Sequence, residues 1–407
     1  MQWITLNEYS ASEPIQLTDR QVSQLGAPDI GMQIEAIDSR GACVIRTGSS
    51  VGVVCVDGLT LEIRPKIPLD RLFFMLVYAM DPRAWRHDET VFTPEMTVLE
   101  SIVPAFVRLV SRATYRGLLQ GYVRHEETSA ALRGRLQVGK QMTRQRGLPL
   151  PVEIAYDDYT PDITENRLLL AALARLSRLP LRSLRSMRAL REVGAAFQGV
   201  THEAYRPADL PEIAVTRLNE HYTPALELAR LILSNSTIEL GQAVVPGVTL
   251  LVDMNQIFEC FLHRALRESL KLDGRQFPRG DKRLFLDDRR RIKLEPDLSW
   301  WGEGRCRFVG DAKYKRIKVS GVPNADLYQL LAYTLAAGLD AGILIYAAGE
   351  SEPTRHKVPM AGKTLIVDSV GLHGEPVQIL REIDRLACAI RGLAKHVPTT
   401  RPTAFSN

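Results

Sequence analysis

A chain of 407 residues is too long for one ordinary hydrophobic core, so two or three domains are expected. The apolar share of 45% supplies material for real cores, and no uncharged apolar run of about 18 residues occurs, which argues against a transmembrane helix. With 52 basic and 47 acidic residues the net charge is only +5, too small to name nucleic acid as a partner by itself.

The N-terminus, "MQWITLNEYSASEP", lacks the basic-then-apolar layout of a signal peptide, and a cytoplasmic protein is expected. The cysteines (Cys43, Cys55, Cys260, Cys306 and Cys388) are scattered without metal-ligand spacing and read as reduced packing residues.

Residues 1–95 read mostly as β structure. "VGVVCVDGLTLEIRPKI" (51–67) holds two short alternating runs joined by Asp57-Gly58, a favoured type I′ hairpin turn. Leu59, Leu61 and Ile63 are expected on one face, with Thr60, Glu62 and Arg64 on the other; Pro65 and Pro68 end the strand. From Leu69 the spacing turns helical in "LDRLFFMLVYAM", which stops at the turn "DPRAW".

Residues 96–245 are rich in Leu, Ala and Arg at three-to-four spacing, as in "VLESIVPAFVRLVSRATYRGLL" and "TENRLLLAALARLSRL". A mainly helical domain is expected, interrupted by the extended stretch from Arg133 to Ile163. Thr164, with Glu165 and Asn166 before an apolar run, marks a helix start. The Arg-rich stretch 175–192 reads equally as a solvated helix face or a phosphate-contacting surface, and so does "DDRRRIK" (287–293) further on.

Residues 246–395 read as an α-β-β-α-β segment plus a final helix, and the tail 396–407 as disordered. "DMNQIFECFLHRALRESL" places Phe258, Phe261, Leu262, Ala265 and Leu266 on one helical stripe. Two strand-like runs follow, "RIKLEPDLSW" and "RCRFVGDAKYK", joined by "WGEG". A helix "NADLYQLLAYTLAAG", a strand "AGILIYAA" and a helix "VQILREIDRLACAIRGLAKHV" complete the segment. No internal repeats are found.

The second of those strands raises a chemical question. Phe308 and Val309 begin an apolar run, yet Asp311 and Lys313 stand where further apolar residues belong. A buried carboxylate and ammonium cost several kcal/mol unless paired or bound to a metal, roughly 3–5 when one partner is lost. If "GEG" turns a hairpin, Asp297 arrives beside Asp311 on the neighbouring strand, and two carboxylates make a hard-oxygen site for Mg²⁺ or Mn²⁺. Lys313, two residues from Asp311, emerges on the same strand face, where an ammonium stabilises charge on a scissile phosphate. Glu259, at the edge of the preceding helical stripe, is placed to add a carboxylate.

This layout is similar to the PD-(D/E)xK nuclease core, and Gln329 with Tyr333, on one face of the next helix, resembles the extra motif of its RecB-like branch. No Walker-type glycine loop and no Ser/His/Asp or Cys/His grouping is present. The resemblance extends beyond the core. "LEIRPKI" (61–67), "MLVYAMD" (75–81), "LRGRLQ" (132–137), "YTPDITENRLLLAAL" (159–173), "EPDLSW" (295–300) and "GDAKYK" (310–315) follow the order of the McrC family. The chain thus resembles the nuclease subunit of the McrBC modification-dependent (5-methylcytosine) restriction system.

That resemblance implies a multidomain α+β protein: a β-rich N-terminal partner-docking domain, a helical middle and a C-terminal α/β nuclease core. It implies Mg²⁺-dependent cutting of modified double-stranded DNA together with an McrB-like AAA+ GTPase hexamer, which binds the GTP and is stimulated by this chain. Asp297 and Asp311 would hold the metal with Glu259 as auxiliary ligand, Lys313 would act on the attacking water, and Gln329 and Tyr333 would shape the site. Two rivals remain: a stand-alone RecB-like nuclease, and a non-cleaving GTPase-activating DNA-binding scaffold. A membrane role is not expected.

Overall fold

The computed structural model describes residues 2–27, 30, 32–37, 41–85, 97–144, 150–238, 248–316, 322–348 and 353–395. It is a mixed α/β structure with several sheets. The chain divides into two compact units, one made of residues 1–102 and 251–407 and the other of residues 103–250. The expected domain edges at 95 and 245 and the tail 396–407 lie outside the described residues. The first and last segments, read as separate domains from the sequence, fall within the same compact unit.

The discontinuous unit begins with β1 (Gln2–Asn7), β2 (Ile15–Gln16), α1 (Asp19–Leu25), β3 (Gln33–Ala36), β4 (Ala42–Arg46), β5 (Ser50–Val56), β6 (Leu59–Arg64) and α2 (Leu69–Met80). β5 and β6 form the hairpin expected from Asp57-Gly58, whose φ angles of 39° and 78° are both positive as a type I′ turn requires. β1 pairs parallel to β6, and β4 lies between β2 and β3 in a separate small sheet. Both faces of β6 are buried: Thr60 and Glu62 are as buried as Leu59 and Leu61, all at 0% exposure. Glu62 is kept from standing as a lone charge by Arg64, 3.2 Å away. α2 takes the expected bounds and buries Phe74 edge-on against Phe261, with ring centroids 5.2 Å apart.

α3 (Leu99–Ala113) leads into the continuous unit, which holds β7 (Gly121–Ser129), β8 (Arg135–Leu136), α4 (Val138–Arg144), β9 (Val152–Thr160), α5 (Thr164–Ser177), α6 (Leu184–Ala195), α7 (Thr223–Ser234) and β10 (Ser236–Ile238). Two elements depart from the sequence reading. β7 was expected to be helical, and α4 interrupts a stretch expected to be extended. β7 pairs along its whole length with β9, from Gly121↔Thr160 to Ser129↔Val152, so long-range pairing overrides local spacing. α5 begins at Thr164 as expected, but Thr164 is its first helical residue and not a side-chain cap. The start is secured instead by buried Asn166, whose amide donates to Leu119 O and Pro161 O, and by Arg167, whose Nε is 2.7 Å from Asp162 Oδ1.

β11 (Val248–Asp253) returns to the discontinuous unit. There follow α8 (Met254–Leu270), β12 (Leu284–Phe285), β13 (Lys293–Leu294), β14 (Leu298–Gly302), β15 (Arg305–Arg316), α9 (Asn324–Ala336), β16 (Ala341–Ala348), β17 (Thr354–Val358), β18 (Lys363–Ser369) and α10 (Pro376–Lys395). The sheet runs β14-β15-β16-β18-β17, with β15/β16 and β16/β18 parallel and the outer pairs antiparallel. β17 and β18 were not expected from the sequence. α8 buries Phe258, Phe261, Leu262, Ala265 and Leu266 at 1% exposure or less, the stripe read from its spacing. At about 2 kcal/mol for each large apolar side chain removed from water, that stripe anchors α8 against the sheet.

Candidate active site

β15 is an interior strand, paired with β14 on one side and β16 on the other, so anything placed at its centre is taken out of water. Glu303 and Gly304, with φ angles of 54° and 75°, turn β14 into β15, and the register sets Leu298 opposite Gly310. Asp297, one residue before Leu298, therefore reaches the level of Asp311. Its Oδ2 accepts the Ala312 backbone N–H at 2.9 Å, which ties the two strands at that point.

Gly310 makes the approach possible. A Cβ there would lie 2.9 Å from the Phe308 ring and 3.0 Å from the Ile343 carbonyl oxygen, so a side chain would push β15 off β16 just before Asp311.

The Asp311 side chain is 2% exposed, and its Oδ2 lies 2.5 Å from Lys313 Nζ. That contact is an ion pair without hydrogen-bond alignment, because the same oxygen has no hydrogen-bond partner among the described residues. Burial, and then the Asp297 charge, push the Asp311 carboxyl up to about 7. Burial and the Glu259 charge likewise raise Asp297, while burial and the Asp311 charge bring Glu259 to about 7. Burial works against the Lys313 ammonium, but contact with Asp311 and the charges of Asp297 and Asp326 together outweigh it and hold the group above its ordinary value. The strands have thus gathered more negative charge than one lysine neutralises.

Asp281, nearby in the chain, shows what a structural buried aspartate looks like. Burial opposes its charge, but hydrogen bonds from Arg283 and Ser299, the latter at 2.8 Å, more than compensate and hold its carboxyl low. Asp311 has Lys313 beside it, but that is too little to offset burial and the Asp297 charge, and its carboxyl stays raised.

Among the described residues, no three His, Cys, Asp or Glu side chains are drawn into a ready cage for a metal. Asp297 and Asp311 come together, while Glu259 stands as their electrostatic neighbour on α8. The buried Asp311 oxygen that meets only the Lys313 ammonium, the raised carboxyls and an all-oxygen donor pair fit Mg²⁺ or Mn²⁺, ions commonly held by one or two carboxylates with water completing the shell.

Gln329 and Tyr333 sit on α9 as expected. The Gln329 amide donates to the Tyr333 hydroxyl at 2.9 Å, and that hydroxyl donates to the Glu295 carbonyl at 3.2 Å. The Tyr333 ring is packed with Leu284, Val309 and Leu339. The pair thereby latches the segment that delivers Asp297. Burial, followed by the Asp311 charge, raises the Tyr333 phenol and keeps it a neutral donor.

Two groups were missed in the sequence. Buried Asp326, in the first turn of α9, accepts from the Tyr346 hydroxyl and pairs with Lys315 at 2.8 Å. Glu8, 1% exposed and just after β1, accepts the Lys66 backbone N–H at 2.6 Å and the Tyr314 hydroxyl at 2.8 Å. Tyr314 is the residue after Lys313, so the N-terminal segment is hydrogen-bonded to the strand that carries the candidate site. An Asp in a helix's first turn and a Glu after a strand carry no sequence signal for such roles.

Comparison with known proteins bears on what the chain is. Among curated proteins, no match is found. A solved half-complex from a tetradecameric assembly of Thermococcus gammatolerans McrB AAA+ hexamers with bound McrC contains a chain similar in fold. The TM-score is 0.54 at 20% identity, covering 95% of this chain and all of that one. A cryo-EM structure of the Thermococcus gammatolerans McrBC complex aligns more loosely, with a TM-score of 0.42 and 22% identity over 66% of this chain and 88% of the other. The family model described as "McrBC 5-methylcytosine restriction system component" matches residues 45–347. That span takes in the β5–β6 hairpin, the whole continuous unit and the site from Glu259 to Tyr333, and with it the chain belongs to the McrBC 5-methylcytosine restriction system component family.

Proposed function

We propose that this chain is the DNA-cutting subunit of a modification-dependent restriction complex, a Mg²⁺-dependent endonuclease of PD-(D/E)xK type that works with an McrB-like AAA+ GTPase. The observation that carries the reading is the set Asp297, Asp311 and Lys313, brought together at one end of the β14–β15 hairpin with the buried Asp311 carboxylate ion-paired to Lys313 and short of hydrogen-bond donors. Family membership supports the restriction-system role, and the McrB hexamers in the similar assembly suggest the partner.

Asp297 and Asp311 would hold the metal, with Glu259 close enough electrostatically to assist. When bound, the cation supplies Lewis-acid polarisation of the phosphodiester and a more acidic attacking water. Lys313, its ammonium held by Asp311, faces the same region and stabilises negative charge that builds on the phosphate oxygens. Glu259, poised near neutral pH by burial and by Asp311, can take up a proton released there. Tyr333 and Gln329 keep the Asp297 segment in place through Glu295. GTP would be bound and hydrolysed by the partner.

The test is cleavage of 5-methylcytosine-containing plasmid by the chain with its AAA+ partner, GTP and Mg²⁺. Wild type should cut and Asp311→Ala should not, at equal folded content. Near wild-type cutting by Asp311→Ala would remove the site assignment.

A further inference from the structure

The hairpin β12–β13 stands immediately before the candidate site, and its tip is the sequence Asp287-Asp288-Arg289-Arg290-Arg291. The tip is ordered from within: Asp287 Oδ1 accepts the backbone N–H groups of Arg291 and Ile292, each at 2.8 Å, and Leu286 N–H donates to Ile292 O at 2.9 Å. Arg289, Arg290 and Arg291 are all exposed. No carboxylate among the described residues pairs with any of the three.

Several other arginines of this part of the chain are held in ion pairs. Arg283 pairs with Asp281, Arg307 with Glu303, Arg264 with Glu268 and Arg385 with Asp368. The tip differs in gathering three consecutive exposed arginines, of which Arg290 lies over the Phe285 ring at 5.7 Å. Arg290 moreover has a φ of 54°, a left-handed conformation where Gly or Asn ordinarily sits. A β-hairpin that keeps arginine at such a position retains it against local preference. Leu286 and Ile292, 49% and 53% exposed, add an apolar shoulder beneath the charges.

The hairpin is rooted in the site. Leu284 packs in the cluster around Tyr333, with Leu294 against it, and the Tyr333 hydroxyl donates to Glu295 O just beyond β13. From Lys293 to Asp297 the chain spans at most about 14 Å.

From this placement we infer that the β12–β13 hairpin is a duplex-DNA backbone contact: Arg289, Arg290 and Arg291 bind phosphates flanking the scissile bond, and Leu286 and Ile292 lie against the sugars. The inference rests on the nuclease reading above and extends it to where the duplex runs. The three guanidiniums offer planar forks matched to phosphate oxygens, and contacts of this kind add affinity without reading sequence.

The test uses the full chain, with Ca²⁺ in place of Mg²⁺ to prevent cutting. Binding of a fluorescein-labelled 30-base-pair duplex is measured by anisotropy across 20–200 mM KCl. The variant combines Arg289→Gln, Arg290→Asn and Arg291→Gln, with Asn at 290 because it tolerates the left-handed backbone. The plot of log affinity against log salt should become shallower by about 2–3 for three lost phosphate contacts, and affinity at 100 mM KCl should fall at least about tenfold. Thermal unfolding and co-elution with the AAA+ partner should be unchanged.

A wild-type chain that binds the duplex, beside a variant with the same slope, would overturn the inference alone. A variant that keeps its DNA affinity but no longer co-elutes with the partner would overturn it in favour of a protein-docking role. A wild-type chain that neither binds nor cuts DNA, alone or with the partner, would overturn the nuclease reading and the inference with it.

Discussion

Replacing Asp311 by Asn tests the electrostatic account of the site without reference to catalysis. The Asp311 carboxyl titrates at about 7 in the folded chain against 3.8 for an ordinary aspartate, a value that already includes the pull of Lys313. A carboxyl raised on folding favours the folded state only while it keeps its proton. Its contribution is present at pH 4, is lost as pH rises through 7, and leaves the folded state destabilised above that. At about 1.36 kcal/mol per pH unit, the full loss approaches about 4 kcal/mol. Asp297 shares the titration, so one substitution should recover about 2 kcal/mol of it. Asn is nearly isosteric and uncharged, and Lys313, its side chain 23% exposed, can turn to water. In urea unfolding with EDTA, Asp311→Asn should therefore exceed wild type by about 2 kcal/mol at pH 8.5 and show no such advantage at pH 4. Adding 10 mM MgCl₂ at pH 8.5 should stabilise wild type and leave the variant unmoved. A variant less stable than wild type at both pH values would show that the Asp311–Lys313 pair is a structural ion pair, and the reasoning would fail.

Lys313→Ala should abolish DNA cutting yet leave stimulation of the partner's GTP hydrolysis within about twofold, read by phosphate release; loss of both at unchanged folding would refute the division of roles. Tyr333→Phe removes the hydrogen bond to Glu295 and should cost about 1 kcal/mol in denaturant unfolding, while cutting falls more than stability implies because Asp297 is less firmly held. Gly310→Ala should destabilise by about 1–3 kcal/mol, from the contacts its Cβ would make with Phe308 and Ile343; a neutral result would mean β15 and β16 adjust freely. The purified chain alone should leave methylated plasmid uncut with Mg²⁺, and adding the AAA+ partner and GTP should start cleavage; efficient cutting by the chain alone, independent of GTP, would favour a stand-alone nuclease.

Helices whose apolar residues recur at one local period were readable from the sequence. α2, α5, α8 and α9 begin and end within a residue or two of where spacing and Pro or Gly punctuation placed them. The β5–β6 turn was readable because Asp57-Gly58 meets a local backbone requirement. Asp311 and Lys313 could be singled out because charged residues in an apolar run demand a reason, and Asp297 because the expected hairpin at "GEG" brings it beside Asp311.

What the sequence left undetermined depends on partners distant in the chain. β7 is polar and mostly exposed, so it carries no alternation; only its pairing with β9 makes it a strand. β6 buries both faces, which its sequence pattern did not decide, because burial follows from what packs over a strand. Tyr333 was visible as a helix-face residue, but its bond to the Glu295 carbonyl exists only once α9 packs on β15 and β16. Glu8 meets Tyr314 although more than 300 positions separate them, because the first and last segments share one compact unit. The residues able to carry charge chemistry were written locally; which of them meet, and which lose their water, was decided by tertiary packing, since desolvation and long-range register belong to the folded chain and not to any short stretch of it.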